Sequence, residues 1–143
     1  MTPAKHSQVI SAEALQNFRV GEFPQTTIQI EAVGQGQARI RQPIAARHLR
    51  PGGTVSGPTL MTVADTAMYM ALLGDIGLAP LAVTVSLNIN FLRRPRAGRD
   101  IIGEARLLKR GRRLAVGEVF IYSADDPDPV AHATVTYAIP DAT

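Results

Sequence analysis

The chain has 143 residues, of which 45% are hydrophobic, and a formal net charge of +3. This length fits one domain, and the absence of cysteine excludes disulfides, thiolate metal sites and a cysteine nucleophile. The polar N-terminus lacks the apolar core of a signal peptide, and no apolar run is long enough to cross a bilayer. We therefore expect a cytoplasmic protein.

The first 25 residues predict an N-terminal arm followed by a short helix. Residues 1–10 are polar and irregular, and Ser11 stands where a helix N-cap is expected, ahead of an apolar pattern that continues to Phe18. Residues 26–143 contain no linker and no internal repeat, so they predict a single domain.

Alternation of polar and apolar residues predicts six strands. Residues 26–33 and 37–44 form the first two and flank a glycine turn, which indicates a hairpin. Four more strands are predicted at residues 81–92, 100–108, 114–122 and 130–139.

Between the two groups of strands, residues 53–73 predict a glycine turn and then a helix that is apolar on almost every side. The helix is too short for a membrane span and contains Asp65, so we expect it to lie in a protein core. A carboxylate there costs free energy unless it is paired or has a function, which makes Asp65 a candidate catalytic group. The alternative is a structural carboxylate that is paired with an arginine or caps a backbone group.

An apolar helix needs cover on several sides, which an antiparallel sheet curled around it provides. The fold class is therefore α+β. Dimerisation, with two sheets joined edge to edge, would cover more of the helix.

Positive charge is concentrated in residues 93–113, which hold nine arginines and lysines and two acids. Such a cluster indicates an anionic partner, although a solvated face is the alternative. The cluster has no interleaved aromatic residues and no helix-turn-helix is visible, so we do not expect nucleic acid binding.

Two sequence blocks resemble the hotdog-fold acyl-CoA thioesterases of the PaaI (phenylacetic-acid-degradation) type. The first is Gly53-Thr-Val-Ser-Gly-Pro with Ala64-Asp-Thr-Ala, and the second is Val83-Thr-Val-Ser-Leu-Asn-Ile-Asn-Phe-Leu-Arg-Arg-Pro95, followed by Gly111-Arg-Arg-Leu-Ala115. The resemblance covers residues 26–139. It implies a long central helix wrapped by a curved sheet, and a homodimer that pairs again into a dimer of dimers.

The resemblance also implies roles for individual residues. Asp65 matches the catalytic carboxylate, which acts as nucleophile or as general base on a water molecule. Gly57 matches the glycine whose N–H points at the thioester carbonyl oxygen, and Thr84 matches a residue that positions the attacking water. The resemblance places Asp65 and Thr84 of different chains opposite each other.

This sequence departs from the family pattern at two positions before the helix. The motif His-Gly-Gly is Ser56-Gly57-Pro58 here, and a frequent Asn aligns with Arg50. Ser56 is a good N-cap, and Arg50 offers a charged donor in place of a neutral one. Both are therefore candidate assisting residues at the catalytic site.

The resemblance implies that the basic cluster holds the phosphates of coenzyme A, which is the substrate's carrier group, with no metal or other cofactor required. The candidates are Arg93, Arg94, Arg96, Lys109, Arg110, Arg112 and Arg113. Met61, Met68 and Tyr69 are expected to line the acyl pocket.

The implied function is hydrolysis of an acyl- or aryl-CoA thioester to the free acid and coenzyme A. Because the motif His and Asn are missing, the alternative is a non-catalytic protein that binds acyl-CoA. A hydratase or dehydratase is disfavoured, since no catalytic His accompanies Asp65.

Overall fold

The computed structural model describes residues 10–140 and consists of two α-helices, a short 3₁₀ helix (Ala46–His48) and one six-stranded antiparallel sheet. In chain order the elements are α1 (Ala12–Glu22), β1 (Gln29–Gly34), β2 (Gln37–Gln42), α2 (Gly57–Ile76), β3 (Val83–Phe91), β4 (Ile101–Arg110), β5 (Leu114–Ser123) and β6 (Pro129–Ala138). The predicted arrangement of two strands, a long helix and four strands is confirmed. The N-terminal arm that the sequence predicted lies largely outside the described residues.

The strand order in the sheet is β1-β2-β4-β5-β6-β3, so the strand that follows the long helix lies at the far edge. The sheet curves around α2, which contacts all six strands. This confirms the hotdog arrangement, in which the sheet wraps a central helix. No helix within residues 10–140 is both long and apolar enough to cross a bilayer.

Side-chain caps fix the beginning of each helix. Ser11 accepts a hydrogen bond from the Ala14 amide at 3.0 Å, and Ser56 accepts one from the Thr59 amide at 3.3 Å. Both residues have extended backbone angles, as N-caps require. The N-cap predictions for Ser11 and Ser56 are therefore confirmed.

Helix α2 is buried along most of its length but leaves one side of its first half uncovered. Met61 and Thr62 are exposed, and Asp65 and Thr66 are half-buried. These positions repeat at helical spacing, so they form one continuous face. The carboxylate of Asp65 therefore lies on the open side of an otherwise buried helix.

Glycines allow the sheet to approach α2 closely. A Cβ at Gly117 would lie 2.5 Å from the Met68 sulfur and 2.9 Å from the Arg106 carbonyl oxygen, and neither separation is tolerated without movement. The absence of a side chain at this position in β5 lets Met68 fill the core.

We expect Gly117→Ala to lower the free energy of unfolding by about 1–3 kcal/mol, because the new methyl group overpacks the core against backbone. Chemical denaturation measures the change. Gly21→Ala is the matched control, since a Cβ at that helical position meets nothing within 4 Å and alanine favours helix. Equal stability of the two variants would contradict the close helix–sheet contact.

Candidate active site

The carboxylate of Asp65 is held by two hydroxyl groups from neighbouring strands. Thr84 on β3 donates to Asp65 Oδ1 at 2.6 Å, and Tyr137 on β6 donates to the same oxygen at 2.9 Å. Within the described chain, Oδ2 of Asp65 has no hydrogen-bond partner. One oxygen is therefore fixed, and the other is left to accept a proton.

Strand register explains why the two hydroxyl groups converge. Thr84 and Tyr137 are direct partners in the β3–β6 ladder, and side chains directly opposite each other project from the same face of a sheet. The register shifts immediately after this pair, so Val85 has no partner on β6. Bulges of this kind redirect neighbouring side chains and occur often beside active sites.

Tyr137 remains a hydrogen-bond donor at neutral pH. Burial raises the pKa of its phenol far above the ordinary value, and the charge of Asp65 raises it further. The ring stacks on Tyr69 with centroids 5.6 Å apart and an interplanar angle of 13°. The phenol is thus fixed in place and cannot ionise beside the carboxylate.

The expectation that Thr84 faces Asp65 from a partner subunit is wrong, because the hydrogen bond forms within one chain. The reason is the strand order. Strand β3 leaves the C-terminal end of α2 through a short loop and pairs with β6, which brings Thr84 back against the helix. Thr84 and Asp65 therefore meet within a single chain.

Sequence reasoning missed Tyr137 because the β3–β6 pairing joins segments about fifty residues apart. The signal was present in part, since Tyr137 is an aromatic residue on the buried face of a predicted strand. Only the register of that strand against Thr84 shows that its hydroxyl reaches Asp65.

Gly57 is the first residue of α2, and its N–H is free for a ligand. The backbone N–H groups of a helix's first turn have no intrahelical partner. Thr59 uses the Ser56 hydroxyl, Pro58 has no N–H, and no hydrogen bond of the Gly57 amide occurs within residues 10–140. This N–H points out of the positive end of a helix, where developing negative charge is stabilised.

Ser56 and Arg50 belong to the segment that holds the helix start. The Ser56 amide donates to the His48 carbonyl oxygen at 2.9 Å, and the Thr59 hydroxyl donates to the same oxygen at 3.2 Å. His48 is a satisfied core residue, since its Nδ1 accepts from the Ala45 amide at 2.9 Å and burial lowers its pKa. Arg50 lies in an exposed turn closed by its backbone hydrogen bonds to Gly53 and Thr54.

The two halves of the predicted site lie apart within one chain. Eight residues separate Gly57 from Asp65, which is about 12 Å along a helix axis. A thioester carbonyl group cannot contact both at once. Gly57 instead lies beside Phe91 at the end of β3, since a Cβ there would be 3.5 Å from the Phe91 ring.

A cavity of about 510 Å³ adjoins Asp65. Its wall includes Thr84, Tyr137 and Tyr69, together with Met70 and, from α1 and the loop after it, Arg19, Phe23, Gln25 and Thr26. Neither Met61 nor Met68 belongs to this wall: Met68 is buried against the sheet, and Met61 is exposed on the open side of α2. Tyr69, the third residue expected in the acyl pocket, does lie in the wall of this cavity.

The basic residues form two groups at opposite ends of α2. Arg93, Arg94 and Arg96 follow the end of β3 near the helix start, whereas residues 109–113 turn near the helix end, where Arg110 pairs with Asp75 at 2.9 Å. Asp126 and Asp128 bind Arg96 and Arg93. Within the described chain, Arg94, Lys109 and Arg112 form no ion pair, so they are the most available cations in the two groups.

Comparison with known proteins identifies the family. The family model for the thioesterase superfamily matches residues 52–130, more than half of the chain. The chain belongs to the thioesterase superfamily. The matched region contains the helix start, Asp65, Thr84 and both basic groups.

Relatives of this thioesterase superfamily member agree with the assignment. Human acyl-coenzyme A thioesterase 13 is 30% identical over 92 residues, which are 64% of this chain and 65% of that protein. The chain thus matches about two thirds of the length of this curated relative.

Two solved structures share the fold over most of their length. A candidate thioesterase from Silicibacter sp. TM1040 is 42% identical, covers 94% of each chain and superposes with a TM-score of 0.86. The phenylacetic acid degradation protein PaaI of Thermus thermophilus is 25% identical, over 87% of this chain and 99% of its own, with a TM-score of 0.71. The PaaI-type resemblance is therefore confirmed.

Within residues 10–140 of this thioesterase superfamily member, no group of three or more His, Cys, Asp and Glu side chains is placed to hold a metal ion.

Proposed function

We propose that the protein is an acyl-CoA thioesterase in which Asp65 is the general base. The observation that carries the proposal is the Asp65 carboxylate on the open side of α2, whose Oδ1 is held by Thr84 and Tyr137 and whose Oδ2 has no partner among residues 10–140. A fixed, accessible carboxylate beside a cavity is suited to removing a proton from water. The family membership supports thioester chemistry.

In this reaction the water oxygen forms a bond to the acyl carbon as Asp65 Oδ2 takes the water proton. The carbonyl oxygen becomes an oxyanion, which the Gly57 N–H and the positive end of α2 stabilise. The carbon–sulfur bond then breaks, and the proton passes to the leaving thiolate. The products are the carboxylic acid and coenzyme A.

Because about 12 Å separates Gly57 from Asp65, we propose that the two groups of one site come from two copies of the chain. Strand β3 is a sheet edge whose exposed side carries apolar residues, and Val83 and Val85 are 56% and 58% exposed. Open edges of this kind pair with other strands unless they are protected. We therefore propose a homodimer joined along β3, and a dimer of dimers as the full assembly.

Antiparallel pairing of β3 with its copy brings the separated groups together. If the twofold axis passes between Leu87 and Asn88, Thr84 lies opposite Phe91 of the second copy. Thr84 contacts Asp65 and Phe91 adjoins Gly57. The dimer then has two identical sites, each with the base from one chain and the oxyanion donor from the other.

The two chains of this dimer run antiparallel. The basic group at the start of α2 in one chain therefore comes closer to the basic group at the end of α2 in the other. We propose that they bind the phosphates of coenzyme A by charge-assisted contacts, with Arg94, Lys109 and Arg112 as the first candidates.

Arg50 and Ser56 assist by holding the helix start. A cytoplasmic location fits the absence of cysteine.

The test is release of free thiol from a panel of aliphatic and aromatic acyl-CoA thioesters, measured alongside thermal stabilisation by the same compounds. Turnover of any member supports the enzyme. Thermal stabilisation without thiol release would favour the second candidate, a protein that binds acyl-CoA without hydrolysing it. This alternative is motivated by Ser56 and Arg50, which stand where the family motif has His and Asn.

Tyr137 is predicted to act as a positioning residue for Asp65. Tyr137→Phe keeps the ring stack but removes a hydrogen bond to a charged group, so we expect kcat to fall about tenfold with KM little changed. Tyr122→Phe is the matched control, because Tyr122 lies on β5 outside the wall of the Asp65 cavity. Equal kcat values for the two variants would contradict this role.

A further inference from the structure

The wall of the Asp65 cavity contains a buried positive charge that the proposed reaction does not use. Arg19 on α1 is 9% exposed and lines the cavity together with Phe23, Tyr69 and Tyr137. Its Nη1 donates to the carbonyl oxygens of Phe23, at 3.3 Å, and Thr26. Its Nε is buried without a hydrogen-bond partner.

No carboxylate lies within 4 Å of the Arg19 guanidinium in the part of the chain that the structure describes. Asp65 lines the same cavity but is bound by two hydroxyl groups and forms no ion pair with Arg19. A buried charge that lacks a partner anion costs free energy, and buried polar groups in folded proteins are otherwise almost always satisfied. The arrangement therefore needs an explanation beyond folding.

A structural role explains only part of this geometry. The two carbonyl contacts hold the C-terminal end of α1, where a cation is favourable, at Phe23, and the loop after it at Thr26. They use a single nitrogen and neutralise no charge. Within residues 10–140, Nη2 of Arg19 forms no hydrogen bond and, unlike Nε, is not a buried unsatisfied atom, so it is the donor left for a ligand in this aromatic-lined cavity. An anion such as a carboxylate would meet it in a charge-assisted contact.

We propose that Arg19 binds a carboxylate on the acyl group, so that the preferred substrates are coenzyme A thioesters of dicarboxylic acids. This inference rests on the proposed thioesterase function and names its substrate class. The thioester carbon lies at Asp65, and the remaining acyl carbons pack on Tyr69 and Phe23 as the second carboxylate reaches Arg19. A neutral acyl group of the same size leaves the charge unpaired.

The test compares adipoyl-CoA with the CoA thioester of adipic acid monomethyl ester, which has nearly the same size but no second charge. Thiol release gives kcat/KM for both compounds. We expect the wild-type protein to prefer the free acid at least about tenfold, as a charge-assisted hydrogen bond predicts. A ratio near 1 would overturn the assignment of Arg19 and leave the thioesterase function intact.

Variants test whether Arg19 causes the preference for the free acid. Arg19→Met should lower the ratio of the two kcat/KM values, free acid over methyl ester, to about 1. Arg19→Lys keeps a cation and should retain part of the preference. Arg99→Met is the matched control, because Arg99 also donates to a backbone carbonyl oxygen, that of Ala124, but lies outside the cavity. An unchanged ratio in folded Arg19→Met would overturn the proposal.

Failure of the proposed function gives a different result. If neither thioester is hydrolysed, isothermal titration calorimetry with the same two compounds measures recognition without chemistry. Tighter binding of the free acid would support the role of Arg19, and equal dissociation constants would overturn it.

Discussion

Asp65→Asn is expected to lower kcat by about 10²–10⁴, which is the range that a positioned general base contributes. Asparagine has almost the same shape, and its side-chain oxygen accepts hydrogen bonds from the same two hydroxyl groups. The variant should therefore fold normally and bind acyl-CoA, while the free Oδ2 position becomes an amide that cannot take a proton. Steady-state thiol release and a thermal melt measure both parts of the prediction.

Asp75→Asn provides the matched control for this change. Asp75 lies on the same helix, is partly exposed and pairs with Arg110, far from the Asp65 cavity. Its substitution should leave kcat within about twofold of the wild-type value, because surface ion pairs contribute little to the stability of the fold. Full activity of Asp65→Asn in a folded protein would remove Asp65 from the mechanism.

Val85→Lys is expected to separate the two chains that are joined along β3 and to remove catalysis. Val85 is 58% exposed at the bulge of the edge strand, and a lysine there blocks strand pairing, as it does on natural sheet edges. Separation leaves the Gly57 N–H about 12 Å from Asp65, and loss of one oxyanion donor costs about 10²–10³ in kcat. Light scattering should report half of the wild-type mass or less, down to the 15.3 kDa of one chain.

Val20→Lys is the comparison for the interface variant. Val20 is 51% exposed on α1, so the substitution removes a similar apolar surface from a helix and not from the sheet edge. It should keep the wild-type mass and turnover. A monomeric Val85→Lys protein with wild-type kcat would refute a site shared between two chains.

The sequence predicted the elements of the fold because local patterns carry them. The alternation in residues 81–92 and the apolar run after Ser56 need no information from distant parts of the chain. Helix α1 continued to Glu22, beyond the predicted end at Phe18. Its end depends on the packing of Leu15 and Phe23 in the tertiary structure, which a local pattern does not contain.

The site was predicted only in part, because half of it depends on strand pairing. Asp65 and Gly57 could be located on one helix from its sequence. Tyr137 and the intrachain position of Thr84 follow from the β3–β6 register, which joins distant segments. Pairings of this kind are set by the packing of the whole sheet, and no local pattern encodes them.

Arg19 illustrates a different limit. Its position four residues after Leu15 places both side chains on the same face of α1, and both are buried. That spacing was visible in the sequence, but an arginine on a short helix is normally a solvent-exposed residue. Burial against the Asp65 cavity becomes evident only when α1 is packed on the domain.

The central claim is that one thioesterase site takes Asp65 from one chain and the Gly57 N–H from another, and subunit mixing tests it directly. Gly57→Pro removes that N–H at a helix position where proline is tolerated, after a Ser56 whose ψ of 153° suits a following proline. Gly57→Ala keeps the N–H and serves as the control. Each of the Asp65→Asn and Gly57→Pro proteins should be nearly inactive alone.

When the two inactive variants are mixed and refolded in equal amounts, half of the dimers contain one chain of each kind. Every mixed dimer then has one site with both residues intact and one with neither, so thiol release should return to about a quarter of the wild-type rate. Mixed dimers that form but show no activity above the parent variants would contradict the shared site.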